Sequence, residues 1–437
     1  MTMPRLLRPL RRRGYRLLFL TLLAALLVEG MWMIAVVWQV IAMGGSATSL
    51  STVSAAAALG LVGSALAGGV LADRVSQQRI LFVLEVLKVV VLGALAGVIL
   101  LGVVTIPLLM AGALVIGVVS GLYYPAYSAL LPRLVAEDEL LAVNGYESMV
   151  RPALSMAAGP ALAGWLIALG DPGIALLVAA AACLAAAGAV AAIRPAELDG
   201  GLSTEAERQG VHPFRDLIEG MRYVAVTPWL LSTLLFASLL VFLVTGPIDV
   251  LIPFTIESRL HGDAGDHSLV LAAYGAGGVV GGFVMSVRRL PRRYLTAMVA
   301  LWGLGALPLA VIGLARNTWT MAAAGFVLGV LFEAPVVVWG TLLQRRVPRR
   351  LLGRVSSLDF FVSLVFMPVS MAVAGPAGEA FGATTVFVVA AVVPLPLAVL
   401  AWAWARMRAD ELAHPLLAAD DTLSPSVNAP PTAGTVG

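Results

Sequence analysis

The sequence predicts an all-α polytopic membrane protein, with twelve transmembrane helices arranged as two six-helix pseudo-symmetric bundles. Three observations predict it: the composition, a series of long apolar runs and an internal repeat. Of the 437 residues, 60% are hydrophobic and only 12% are charged, whereas soluble globular domains carry about 25% charged residues. The mean hydropathy is +0.95. These values exclude a soluble globular protein.

The apolar runs are each long enough to cross a bilayer, which takes about 20 residues of helix. The twelve runs lie near residues 17–43, 48–72, 80–102, 106–131, 145–169, 173–193, 229–256, 269–287, 294–314, 318–343, 356–377 and 383–405. The first run follows a basic start, but it is too long for a signal peptide and has no clear cleavage site. We therefore expect it to be an uncleaved first helix.

These runs divide the chain into five parts. We expect a basic cytoplasmic N-terminus at 1–16, a first six-helix bundle at 17–193, and a cytoplasmic central loop at 194–227. A second six-helix bundle follows at 228–405. The tail, 406–437, is rich in Pro, Ser, Thr, Ala and Asp, a composition typical of disorder.

The arginines favour one orientation in the membrane. With the N-terminus inside, the cytoplasmic segments hold 24 arginines and the outer loops hold two, Arg259 and Arg316. This asymmetry follows the positive-inside rule, so both termini are expected in the cytoplasm of a multi-pass protein of the cell inner (plasma) membrane. The pI of about 9.2 then reflects arginines facing the cytoplasm rather than a nucleic-acid partner. An excess of Arg over Lys is consistent with a GC-rich bacterial genome.

An internal repeat supports the division into six and six. The stretch Ala129–Val135 (ALLPRLV) is similar to Thr341–Val347 (TLLQRRV), 212 residues later. Downstream, Ser155–Pro160 (SMAAGP) is similar to Ser370–Pro376 (SMAVAGP), 216 residues later. Parallel duplicates of this kind occur in transporters whose substrate site lies at the midplane between two bundles.

A short polar hinge separates the second and third apolar runs. It reads Gly69-Val-Leu-Ala-Asp73-Arg74, followed by Arg79. Gly69 allows two helices to approach closely, and we expect Asp73 to lie near the N-terminus of the next helix, where a carboxylate interacts favourably with the helix dipole. The alternative is a solvated turn with anchoring charges.

This hinge resembles the loop between helices 2 and 3 of the major facilitator superfamily, and two further stretches sharpen the resemblance. Pro125–Val135 resembles the end of helix 4 in the drug and siderophore exporter branch, which includes macrolide and tetracycline exporters. Gly159-Pro160-x-x-x-Gly164 resembles the helix-5 element of proton-coupled antiporters. The resemblance covers about residues 15–405. It implies that the hinge gates the cytoplasmic side and that the protein exports small lipophilic compounds by proton antiport.

The helix-5 stretch also has a direct physical reading. Pro160 removes one helix hydrogen bond and kinks the helix, while Gly159 and Gly164 let a partner helix close in. Ordinary packing of small residues is the alternative interpretation.

Ionisable residues inside apolar runs are the candidates for proton coupling or substrate binding, because each is costly in a membrane. Glu29 lies in the middle of the first run without an obvious partner. Glu85 and Lys88, spaced i,i+3, are expected to neutralise one another, and Glu147 with Arg151, spaced i,i+4, form a similar expected pair.

Two further candidates lie in the second half. Asp249 follows Pro247, and Glu333 precedes Pro335. Asp249 is either on the transport path or solvated near the outer surface. The helix-4 arginine of many proton-coupled members is missing, since Gly117 stands four residues before Gly121, so Arg151 or Lys88 would have to replace it.

Aromatic residues are candidates to line a pocket for a bulky compound. Those expected are Trp32, Tyr123, Tyr124, Phe236, Trp339 and Phe360.

Several classes of function find no support in the sequence. The single cysteine, Cys183, excludes a disulfide framework, and four histidines expected in loops or tails make a metal site improbable. The glycines at 275–282 lack a following Lys-Ser/Thr, so there is no Walker-type phosphate loop. We expect a non-enzymatic protein without cofactor or metal, acting as a monomer on a small-molecule substrate with protons as coupling ion. The alternatives are a siderophore, lysophospholipid or other metabolite transporter, or a non-transporting membrane sensor on the same scaffold.

Overall fold

The structure is a computed structural model that describes residues 9–136, 139–140, 143, 147, 150–194, 213–288 and 290–416. Within these ranges, the backbone alone is described at 66–70, 72–74, 213–217, 349–350 and 357.

Twelve helices in the described residues are long and apolar enough to cross a membrane, and they form two bundles of six. The first bundle consists of α1 (Arg13–Ala42), α2 (Ala47–Arg74), α3 (Gln77–Leu100), α4 (Ile106–Leu134), α5 (Val150–Leu169) and α6 (Pro172–Ala191). The second consists of α7 (Pro228–Leu260), α8 (Ala264–Val287), α9 (Tyr294–Leu314), α10 (Thr318–Arg346), α11 (Leu351–Phe381) and α12 (Ala383–Trp404). The predicted all-α fold of twelve helices is confirmed. We call the face at which α1 begins the amino-terminal face, and the other the opposite face.

Four helices that begin at the opposite face are capped by their own preceding residue. Ser46, Asp171, Asp263 and Asn317 each accept a hydrogen bond from a backbone N–H of the first turn of α2, α6, α8 and α10. The first N–H groups of a helix have no partner within it, so these caps satisfy donors at the helix ends.

Two helices are interrupted by π-helical turns next to a Gly-Pro pair. In α5 the π-helix Ala153–Ala158 directly precedes Gly159 and Pro160, and in α7 the π-helix Pro247–Leu251 directly follows Gly246. Proline has no N–H to continue the α-helical ladder, so the backbone changes its winding at these points. Both π-helical turns lie beside the space between the bundles.

The repeat appears in the packing of each bundle. α4 and α10 are both 29 residues long and begin 212 residues apart, the offset seen in the sequence. α2 packs on α4 and α8 packs on α10, in each case with glycines at the contact. A Cβ at Gly117 of α4 or Gly277 of α8 would collide with the backbone of the partner helix, so these helices approach closely along their length.

The two bundles meet in the half of the membrane next to the opposite face. There α2 of the first bundle packs on α11 of the second, and α5 packs on α8. Gly375 N–H donates a hydrogen bond of 2.7 Å to Ser51 Oγ. Ser268 Oγ donates one of 2.8 Å to the Pro160 carbonyl oxygen. The bundles are therefore joined at the opposite face, and a space between them opens towards the amino-terminal face.

Parts of the predicted central loop and of the predicted tail are helical. Within 194–227, Pro213–Val226 forms a helix, here the linker helix, which packs on the first half of α11. The tail prediction was wrong for its first residues: Met407–Ala413 forms a terminal helix. Its Glu411 is buried and accepts hydrogen bonds from the N–H groups of Leu295 and Thr296, the first turns of α9. Residues 417–437 lie outside the described residues.

The hinge is shorter than the sequence indicated. α2 continues through Asp73 and Arg74, and only Val75 and Ser76 separate it from α3. Asp73 therefore belongs to the last turn of α2 rather than to a loop before α3.

We expect Gly375→Ala to weaken the contact between the bundles at the opposite face. Its Cβ would collide with the Ala47 carbonyl oxygen and would lie 2.6 Å from Ser51 Oγ, so the helices would have to separate. The measurement is the distance between spin labels at Leu101 and Trp319, exposed positions at the opposite face of each bundle. Gly340→Ala, with nothing near its Cβ, is the matched control. An unchanged distance in Gly375→Ala would contradict the close approach.

Candidate functional site: a central cavity between the bundles

Three adjoining cavities form one continuous space at the centre of the protein. The first-bundle cavity, about 440 Å³, is lined by α1, α3, α4 and α5. The second-bundle cavity, about 460 Å³, is lined mainly by α7, α10 and α11. The entrance cavity, about 600 Å³, continues along α8 towards the amino-terminal face. Phe360 and Leu364 line the first two cavities, and Glu29 and Arg151 line the first and the third. Each volume is typical of a site for a drug-sized molecule.

The first-bundle cavity brings together three of the predicted site residues. Glu29 of α1, Lys88 of α3 and Arg151 of α5 all line it. Glu29 was expected to lack a partner, yet two cations share its cavity. These are the two residues predicted to replace the missing helix-4 arginine.

Glu85 and Lys88 form the predicted pair. Lys88 Nζ lies 2.8 Å from Glu85 Oε1, and the Glu85 side chain is fully buried. The ammonium group also lies 5.0 Å from the centroid of the Tyr123 ring, a favourable cation–π position. Lys88 lines the first-bundle cavity, and the buried Glu85 is its partner behind the wall.

The predicted pair of Glu147 and Arg151 does not form. Glu147 accepts a hydrogen bond of 2.8 Å from Tyr127 Oη. The Arg151 guanidinium instead lies over the Tyr124 ring, 5.3 Å from its centroid. The i,i+4 spacing was misleading because two tyrosines of α4 contact these side chains instead.

The second-bundle cavity holds three carboxylates. Asp249 of α7 and Glu333 of α10 line it, and so does Asp359 of α11. Asp249 is therefore on the cavity wall rather than solvated at the outer surface. Asp359 accepts a hydrogen bond of 3.0 Å from Trp339 Nε1. Sequence reasoning missed Asp359, although it is a lone acid inside the predicted run 356–377, the same signal that identified Glu29.

The two sides of the cavity differ in charge. The first-bundle cavity contains both acids and bases, Glu29 with Arg151 and Lys88. Among the described residues that line the second-bundle cavity, none is basic. The rest of its lining is mainly aromatic and aliphatic, with Trp302, Phe332 and Trp339 among these residues. The side of the second bundle thus presents carboxyl groups, without a basic side chain among the residues lining this cavity, to any occupant.

The two glycines of the helix-5 motif let neighbouring helices approach closely, as their sequence predicts. A Cβ at Gly159 would lie 2.5 Å from the Leu27 carbonyl oxygen of α1. A Cβ at Gly164 would lie 2.7 Å from Ser268 Oγ of α8. Gly159 thus lets α1 approach, and Gly164 lets the other bundle approach, on either side of Pro160.

The hinge residues lie far from the carboxylates of the cavity. Gly69, Asp73 and Arg74 are at the amino-terminal end of the first bundle, with side chains outside the described part. Arg79 is exposed in the first turn of α3. The gating role of these residues stays a prediction.

The aromatic residues were predicted with one error. Trp32, Tyr123 and Tyr124 line the first-bundle cavity, Trp339 lines the second, and Phe360 lines both. Phe236 instead is buried inside the second bundle, with 2% of its surface exposed.

The prediction that all four histidines lie in loops or tails was wrong for one of them. His267 lies in α8 and is buried, not in a loop. No cluster of three or more potential metal ligands occurs among the described residues.

Two six-helix bundles around a central cavity that opens at one face define a membrane transporter. The chain belongs to the transmembrane secretion effectors of the major facilitator superfamily, whose family pattern matches residues 5–430. It is therefore a multi-pass transport protein and not an enzyme.

Curated relatives support the exporter branch. The Multidrug efflux pump Tap of Mycolicibacterium fortuitum is 28% identical over 432 residues, covering 91% of this chain and 97% of that protein. Macrolide efflux protein A of Streptococcus pyogenes is 23% identical over 372 residues, covering 82% and 88%. An uncharacterised MFS-type transporter of Sinorhizobium fredii, y4rN, is 30% identical over 253 residues, but the match spans only 59% of its length and 56% of this chain.

Solved structures show the same fold at low identity. The nucleoside transporter NupG, as a D323A mutant, superposes with a TM-score of 0.69 at 12% identity, covering 90% of this chain and 99% of that one. A bacterial homologue of the human lysosomal transporter Spinster, inward-facing and unoccupied, gives 0.67 at 16% identity, covering 94% and 99%.

We expect single changes in the Glu85–Lys88 pair to be more damaging than removing both charges. Lys88→Met leaves a buried carboxylate without its partner, at a cost of about 3–5 kcal/mol. The double variant Glu85→Gln/Lys88→Met leaves no unpaired charge and should recover most of that loss. The measurement is thermal unfolding in detergent of the wild type, Glu85→Gln, Lys88→Met and the double variant, which together form a double-mutant cycle. If the double variant is as unstable as the sum of the single ones, the two residues do not act as a pair.

Proposed function

We propose that this protein is a secondary active exporter of small lipophilic compounds, driven by proton antiport with alternating access. The observation that carries the proposal is the central cavity, closed at the opposite face, open at the amino-terminal face, and containing carboxylates on both bundles. The names of the relatives, a multidrug and a macrolide efflux pump, support export. The cavity lies within one chain, so we propose a monomer as the functional unit.

The lipophilic substrate class follows from the cavity walls. Aromatic and aliphatic side chains make up most of the lining, and only a few polar groups converge on the space. Such walls bind a bulky apolar body, while the polar groups fix its orientation. Siderophores, lysophospholipids and other metabolites with an apolar body remain alternatives within transport.

The sidedness follows from the arginines. The amino-terminal face carries most of them, so we propose that it is cytoplasmic, that both termini are in the cytoplasm, and that the membrane is the plasma membrane of a bacterial cell. The cavity would then open to the cytoplasm, as required for loading an exported compound.

Proton coupling is proposed to use Glu29. Its side chain is exposed to the cavity at the middle of α1, and binding a proton removes the cost of holding a charge away from water. Arg151 and Lys88 in the same cavity favour the ionised form when the proton leaves. Glu29 would carry the proton, and Arg151 or Lys88 would take the place of the helix-4 arginine of other members.

The carboxyl groups of the second-bundle cavity lead to a preference within the lipophilic class. Asp249, Glu333 and Asp359 have no basic side chain among the described residues that line the second-bundle cavity, although Glu333 also lines the entrance cavity together with Arg151. A cation with an aromatic or aliphatic body would neutralise them and would stack on Trp302 or Trp339. We therefore propose that the pump favours lipophilic cations over anions.

Reporter fusions test the proposed sidedness. Fusions after residue 200 and after residue 420 are expected in the cytoplasm, while one at Leu101 is expected outside, because α3 ends there at the opposite face. Activity of a cytoplasm-specific reporter in whole cells is the measurement. An external position for residue 200 or 420 would refute the orientation.

We expect Glu29→Gln to abolish gradient-driven export while leaving substrate binding measurable. Gln keeps the size and polarity of the side chain but cannot exchange a proton. The assay is uptake into inside-out vesicles with an imposed pH gradient, with Glu257→Gln, an exposed acid outside the cavity, as control. Antiport would be wrong if collapsing the gradient left wild-type export unchanged, or if Glu29→Gln still pumped uphill.

Two isosteric probes test the preference for cations. Tetraphenylphosphonium and tetraphenylborate share size and apolar surface but differ in charge, so we expect the purified protein to bind the cation more tightly. Glu333→Gln and Asp249→Asn should each weaken cation binding by about tenfold and leave borate binding unchanged or stronger. Titration by fluorescence or calorimetry gives the constants. Equal affinity for both probes in the wild type would contradict this preference.

A further inference from the structure

The opposite face contains a contact between the bundles that the sequence did not indicate. Oε1 of Glu379, near the end of α11, accepts a hydrogen bond of 2.9 Å from the backbone N–H of Thr48, in the first turn of α2. The carboxylate also lies beside the hydroxyl groups of Ser46 and Thr48. A side chain of the second bundle thus caps the N-terminus of a helix in the first.

The cap lies at one end of a longer seam between α2 and α11. Next along the seam, Gly375 packs against Ala47 and donates to Ser51 Oγ. Closer to the membrane centre, Met371 packs with Ala55 and Ala58 in a small apolar cluster. Beyond this cluster the helices separate, since Leu61 of α2 and Leu364 of α11 both line the first-bundle cavity. Glu379 is therefore at the outermost point of the contact.

The geometry points to Glu379 as a gating residue, whose carboxylate holds α2 and α11 together while the cavity is open at the amino-terminal face. The inference rests on the alternating access of the proposed function. Access from the opposite face requires Ala47 and Gly375 to separate, and the Thr48 N–H then loses the carboxylate. A carboxylate at a helix N-terminus is favoured both by the free N–H groups and by the helix dipole. Breaking this interaction costs free energy, and that cost opposes opening of the opposite face in each cycle.

Glu411 shows what distinguishes this cap from a structural one. Glu411 also caps a helix from outside it, but the helix is α9 of the same bundle, and the side chain is buried with 1% exposure. No rocking motion of whole bundles separates Glu411 from α9. Glu379 is exposed and bridges two bodies that move against each other, so its hydrogen bond can break without unfolding.

The test measures the balance between the two conformations without measuring transport. Spin labels at Leu101 and Trp319 report the opposite face, and labels at Ser128 and Arg288, both exposed, report the amino-terminal face. Cys183 is the single native cysteine and is buried, so Cys183→Ala supplies the background. Distance distributions are recorded by pulsed electron resonance in lipid nanodiscs.

We expect Glu379→Gln to raise the ratio of opposite-face-open to opposite-face-closed protein by about fivefold. The distance between Leu101 and Trp319 should lengthen, and that between Ser128 and Arg288 should shorten. Ser51→Ala, which removes the acceptor of the Gly375 N–H, should shift both distances in the same direction. Glu257→Gln removes an exposed carboxylate from α7 at the same face and should leave both unchanged.

Asp73→Asn supplies a comparison of opposite sign. Asp73 is in the last turn of α2, at the amino-terminal face, and the sequence resemblance assigns it to closure there. Removing the Asp73 carboxylate should therefore favour the conformation of this structure, in which the cavity is open at the amino-terminal face. Distances in Glu379→Gln that match the Glu257→Gln control, or that shift towards a more closed opposite face, would overturn the gating role. Because the readout is conformational, it is separate from transport: if the wild type shows no gradient-driven export but the distances shift as expected, the proposed function alone would be wrong.

Discussion

Close approach of helix backbones at glycine is the constraint on which this structure depends. Lipid is as apolar as the helix surfaces, so helices in a membrane associate through tight packing and hydrogen bonds rather than through the hydrophobic effect. Gly117 and Gly277 supply that packing inside the bundles, while Gly164 and Gly375 supply it between them. Glycine packing thus joins helices within a bundle and also joins the two bundles. The contacts within a bundle are continuous, whereas those between the bundles are confined to one half of the membrane. The cavity exists because the seam between the bundles is incomplete.

Charge is distributed between the two bundles in a way that separates two tasks. The first bundle places its acids close to bases, as the 2.8 Å contact of Glu85 with Lys88 shows. Such an environment offsets the negative charge of an ionised carboxylate with nearby positive charge. The second bundle places Asp249 and Glu333 among aromatic rings without a basic neighbour in the described lining. The proposed preference for lipophilic cations rests on this wall.

The features readable from the sequence were those with local or periodic signals. Composition and run length sufficed for the twelve helices, and the spacing of Glu85 and Lys88 sufficed for their pair. Asp359 carried the same signal as Glu29, a lone acid in an apolar run, and was overlooked. The other misses have a tertiary cause. Nothing local in the chain indicates that Glu379 caps α2 or that Glu411 caps α9, because each partner lies more than 100 residues away.

The separate partners of Glu147 and Arg151 show a different kind of miss. The i,i+4 spacing makes a pair possible in a regular α-helix, but other groups compete for each side chain. Tyr127 Oη donates to Glu147, and the Arg151 guanidinium lies over the Tyr124 ring. Both tyrosines belong to α4, so this competition is tertiary and is not visible in the spacing.

The docking of the linker helix determines which part of the connection between the bundles tolerates a change of length. Glu219 of this helix pairs with Arg354 of α11, and Tyr223 Oη donates to the Arg346 carbonyl oxygen over 3.4 Å. The helix therefore travels with the second bundle as part of its rigid body. A change of length between Glu219 and Tyr223 is therefore not tolerated by the docking. One inserted residue would rotate one contact by about 100° relative to the other, so the helix could not make both.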